Sequence, residues 1–148
     1  MPTWIRVVLI VLAFLLAANG FDMLFRAQAW YESIPSVPET GPFNPHFVKD
    51  IGCAYLGSAF GLALGAWRPA WWIPAALVGA FFLAAHAIVH LVEAVGGHPS
   101  VAAMGVVDYV GVYGPPLLVI ALLVAALPTL RVGEGQRRSR VEVKKEDS

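Results

Sequence analysis

Four long apolar runs, at about 4–25, 51–67, 71–95 and 101–130, alternate with shorter polar stretches along the chain. A helix needs about 20 apolar residues to cross the hydrocarbon core of a bilayer, and about 17 at the least. All four runs reach that length, the second narrowly. No backbone polar group can stay unpaired in lipid, so runs this long predict helices. The links at Arg68-Pro69 and at Gly96-Gly97-His98-Pro99-Ser100 are short, which makes the helices they join antiparallel neighbours. The expected fold is all-α: a four-helix transmembrane bundle, up-down-up-down. Gly114-Pro115-Pro116 falls in the middle of the fourth run and predicts a kink there. The long connection, 27–49, carries Pro35, Pro38, Pro42 and Pro45 and is expected to be extended rather than helical. Its aromatic residues, Trp30, Tyr31, Phe43 and Phe47, suit a membrane interface.

Composition supports this picture. Charged residues make up 14% of the 148-residue chain, against about a quarter in soluble domains. The net charge of zero hides an asymmetry, because residues 131–148 hold six of the ten Lys and Arg residues. This mixed-charge segment is expected to be a disordered tail. Basic residues near helix ends favour the cytoplasmic side. The tail, Arg6 and Arg68 then place both termini in the cytoplasm of a multi-pass plasma-membrane protein, with Arg26 and Lys49 as exceptions on the outer side. The first run is expected to be retained, because Leu16-Ala17-Ala18-Asn19 is a poor signal-peptide cleavage site. The single cysteine, Cys53, excludes an internal disulfide and reads as a packed thiol. Glu134, Glu142, Glu146 and Asp147 interrupt the basic tail, which argues against nucleic acid. Nucleophile elbows, phosphate loops and dinucleotide fingerprints are absent from the sequence. The expected partners are the bilayer itself and a second copy or another membrane protein.

The polar residues of the runs concentrate at one depth. Asp22, His46, Asp50, His86, His90, Glu93 and Asp108 all fall in the outer half of this topology. Ionisable groups in a membrane tend to face the bundle interior and pair there, so these seven are expected to form one polar cluster. His86, His90 and Glu93, at i, i+4 and i+7, share an arc of roughly 60° on their helix. Two imidazoles and a carboxylate at this spacing suit a transition metal, and one imidazole suits haem. The function expected on this basis is an accessory or structural membrane protein whose cluster fixes packing. The alternative is a metal- or haem-binding redox protein acting on a small substrate at the outer leaflet. Gly57, Gly61 and Gly65 form a small-residue stripe that lets another helix approach closely, within one chain or between copies.

The segment Lys49-Asp50-Ile51-Gly52-Cys53-Ala54-Tyr55-Leu56-Gly57 resembles the start of helix two in DoxX-like small bacterial membrane proteins. The resemblance covers that helix, the approach to it and the four-helix layout. It implies a four-helix fold in a bacterial inner membrane and, through the family's links to quinol oxidation, quinol as one small substrate for the redox alternative; no activity is carried over. The chain departs from the DoxX-like pattern in its His86, His90, Glu93 face and in Phe43-Asn44-Pro45-His46-Phe47.

Overall fold

A computed structural model describes residues 1–98, 100, 103–106 and 108–126. The chain forms helices Thr3–Phe25 (α1), Ala27–Ser33 (α2), Pro45–Trp67 (α3) and Trp72–Gly96 (α4), with a 3-10 turn at Pro38–Thr40. A further helical span, Asp108–Ala126 (α5), completes the bundle. Four of these helices, α1, α3, α4 and α5, are long and apolar enough to cross a membrane. There is no strand among the described residues. The fold is thus the all-α, four-helix membrane bundle expected. The tail at 131–148 lies outside the described residues.

The helix ends follow from particular residues. Asn44 caps α3 by accepting from the backbone N–H groups of His46 and Phe47 at 3.1 and 3.2 Å. Pro45 is the first residue of that helix, where a missing N–H costs nothing and the fixed φ is already helical. The connection expected to be extended over 27–49 is therefore helical at both ends. Its prolines begin only at residue 35, so nothing interrupts α2, and the last of them starts α3 instead of breaking it. Gly97 ends α4 with φ +70°. Its N–H and that of His98 close on the carbonyls of Ala94 and Glu93, at 3.3 and 3.0 Å. This is the left-handed cap that glycine adopts without steric cost. The fourth span begins later than its apolar run, because Ala103, Met104 and Gly105 lie outside the helix. The helix of α5 continues through Pro115 and Pro116.

Helix α3 sits between α1 and α4. One buried cluster joins Ile5, Leu9, Leu12 and Leu16 of α1 to Tyr55 and Leu62 of α3, Ala76 and Leu83 of α4, and Val119 and Leu122 of α5. Outside it, large apolar side chains such as Phe14, Phe60, Val78, Phe81 and Leu117 are exposed. A surface this apolar on every long helix suits hydrocarbon rather than water.

Candidate functional site

The expected polar cluster does not form. Each of its members is matched on its own helix or not at all. Asp22 pairs with Arg26 at 3.2 Å, one turn away on the chain. His46 lies 3.4 Å from Asp50, again one turn away, with side chains 88% and 60% exposed. Asp108 accepts from the backbone N–H of Gly105 at 2.9 Å, which satisfies a free donor at the start of α5. His90 Nδ1 is 3.6 Å from Glu93 Oε2, beyond hydrogen-bonding distance. Among the described residues no group of three or more His, Cys, Asp or Glu side chains could hold a metal ion. The expectation of an outward-facing His/Asp/Glu cluster, and of a metal or haem site at His86, His90 and Glu93, is thereby overturned. Shared depth does not bring groups together when i, i+3 or i, i+4 partners and helix caps are nearer than the next helix.

The two histidines lie in a column of rings instead. Phe82 and His86 stack at 5.6 Å, His86 and His90 meet edge to face at 4.7 Å, and Tyr55 of α3 packs against Phe82 at 5.2 Å. Offset stacks and edge contacts at these distances are ordinary aromatic packing. They join α3 to α4.

The three glycines of the α3 stripe have different surroundings. A methyl group at Gly61 would come within 2.9 Å of the Gly79 Cα and 3.0 Å of the Ala75 carbonyl oxygen. At Gly65 it would come within 3.2 Å of the Trp72 carbonyl oxygen. At Gly57 it would meet nothing within 4 Å. A second close approach, between α1 and α3, joins Gly20 and Gly52. A methyl group at either would lie 2.8 to 3.0 Å from the other's carbonyl oxygen.

From that crossing towards the N-terminus of α1, the two helices leave a groove of about 520 Å³ between them. Ala13 and Ala17 of α1 and Ala59, Ala63 and Ala66 of α3 line it, between Phe14 and Phe21 on one side and Phe60 and Trp67 on the other. Phe14, Phe60 and Trp67 are each at least 70% exposed, so they flank the groove and do not fill it. Arg6 lines the same groove at its far end. The span from Arg6 to Phe21 is about 22 Å of helix at 1.5 Å per residue.

Sequence reasoning had singled out the polar residues and missed this groove. Its signal was available. Phe14 and Phe21 are seven residues apart, as are Phe60 and Trp67, with alanines at helical spacing between them. Such a pattern reads equally well as ordinary packing until the facing helix is placed. Comparison with known proteins adds no further guide: no protein-family model, no curated protein and no solved structure matches the chain.

Proposed function

We propose that this chain is a lipid-binding membrane protein that holds one acyl chain of a bilayer lipid in the groove between α1 and α3. The observation that carries the reading is the shape and chemistry of the groove. Small residues line much of it, with Ala13, Ala59 and Ala66 buried at its base and Ala17 and Ala63 more exposed, beside Ile10 and Leu56, and exposed aromatic rings flank it. It is longer than one leaflet, which is about 15 Å of hydrocarbon. A flexible chain gains dispersion contacts on two sides there that it lacks on a convex helix face. The end with Arg6 and Arg68 is taken to face the cytoplasm, by the preference of basic residues for that side. The DoxX-like character of α3 agrees with residence in a bacterial inner membrane and lends no activity to the reading. A helix from a second copy is the competing occupant.

Photocrosslinking tests this. Full-length protein in vesicles is exposed to a phospholipid with a diazirine on its acyl chain, and the adducts are mapped by mass spectrometry. Adducts are expected to concentrate on Phe14, Phe60 and Ala63 over Val78 and Phe81 of α4, which are as exposed as the two groove phenylalanines. An even spread over both surfaces would reject the groove as a lipid site.

A further inference from the structure

We infer that the lipid held in this groove has an anionic headgroup, bound by the guanidinium of Arg6. The inference rests on the reading of the groove as an acyl-chain site and adds the chemistry of its polar end. Within the described residues, charge is distributed unevenly between the two ends of the bundle. Asp22, Glu32, Glu39, Asp50, Glu93 and Asp108 all belong to the end where α1 finishes and α3 begins, or to the connections there. At the opposite end the charged side chains are Arg6, in the first turns of α1, and Arg68, which follows α3.

Arg6 differs from Arg26 in its pairing and from Arg68, which is also exposed and without an ion pair among the described residues, in lining the groove. Arg26 is held by Asp22 at 3.2 Å, whereas Arg6 is exposed and its guanidinium has no ion-pair or hydrogen-bond partner among the described residues. Among the described residues it is also the only charged one lining the groove. Trp67 lines the same end, and its indole suits the boundary between hydrocarbon and headgroups. A lipid whose chain lies along Ala13, Ala17, Ala59 and Ala63 would have its headgroup beside Arg6. A guanidinium offers a planar fork of donors that matches phosphate oxygens. Both kinds of headgroup present a phosphate, but in a net-negative one nothing offsets its charge, while the ammonium of a zwitterionic headgroup opposes the arginine. One basic residue near an anionic lipid surface favours binding by about fivefold.

The experiment uses two diazirine lipids with the same acyl chains, one with a phosphatidylglycerol and one with a phosphatidylcholine headgroup. Each is added in trace amount to full-length protein in phosphatidylcholine vesicles. Adduct yield at Phe14 and Phe60 is expected to be about fivefold higher for the glycerol headgroup. Arg6→Gln should bring the ratio close to one, Arg6→Lys should keep most of it, and Arg68→Gln, outside the groove, should leave it nearly intact. Arg6 is exposed, so its replacement is not expected to disturb the fold, and an unchanged melting temperature checks that. Equal yields in the parent would overturn the headgroup assignment and leave the acyl-chain site standing. A preference lost in Arg68→Gln and kept in Arg6→Gln would overturn it as well, since the charge would then act from the general surface. Absence of groove adducts from both lipids would reject the acyl-chain site itself.

Discussion

The α1–α3 pair behaves differently at its two ends. Near the long connection, Gly20 and Gly52 bring the two backbones into direct contact, and even one methyl group has no room. Towards Arg6 and Trp67 the facing positions are mostly alanine, with Ile10 and Leu56, and a groove runs between the same two helices. One side-chain carbon per position distinguishes glycine from alanine, yet it decides whether two helices close on each other or leave space for a third body. In a membrane, where apolar side chains gain little by leaving lipid for another apolar surface, close packing of backbones is a main source of helix association. The glycine end is therefore expected to hold the pair together, and the alanine end to be free to bind.

Substitution at the two ends should give the largest contrast. Gly52→Leu places a side chain against Met23 and the Gly20 carbonyl and should cost about 3 kcal/mol, as overpacking a rigid site does. Ala63→Leu in the groove should change stability by no more than about 0.5 kcal/mol, as at other open surface positions. Thermal unfolding in detergent measures both. Similar losses for the two variants would mean that the groove closes and is no site at all.

A smaller effect is expected over the glycine end. The Trp30 indole N–H donates to Asn19 Oδ1 at 2.9 Å, tying α2 to α1 beside this crossing. Asn19→Ala leaves a part-buried indole N–H without its acceptor and should lower stability by about 1 to 2 kcal/mol. Trp30 fluorescence should shift to the red as α2 loosens, whereas Ala63→Leu should leave this emission unchanged. An unshifted spectrum in Asn19→Ala would show that the bond does not hold α2 in place.

The smallest effect is assigned to Gly57, which has open space on its outer side. Gly57→Leu should change the melting temperature by no more than Ala63→Leu does. A large loss there, with none for the same variant diluted to monomer, would reveal a second copy packed on this face. By contrast, Gly61→Leu meets the backbone of α4 directly and should disrupt the fold more than Leu62→Ala, which only empties volume.

Much of the fold was legible in the chain itself. Four apolar runs of membrane-spanning length determine four helices, since lipid offers the backbone no other partner. Gly97 after the third run and Asn44-Pro45 before α3 are local signals that act through φ and through free N–H groups, although the number of prolines assigns Pro45 to Lys49 to an extended connection. The tertiary structure decided what the polar and small residues do. Asp22, Asp50, Glu93 and Asp108 share a depth, but each lies nearest to a group on its own helix or cap, so depth alone made no cluster. Gly57 and Gly61 are identical in sequence terms, and only the position of α4 makes the second a contact and leaves the first open. The groove lies along the alanine-lined part of the α1–α3 pair, away from the backbone contact at Gly20 and Gly52. Helical periodicity places residues on a face, but what that face meets depends on where the neighbouring helix crosses, and the crossing is set by the few positions where two backbones can touch.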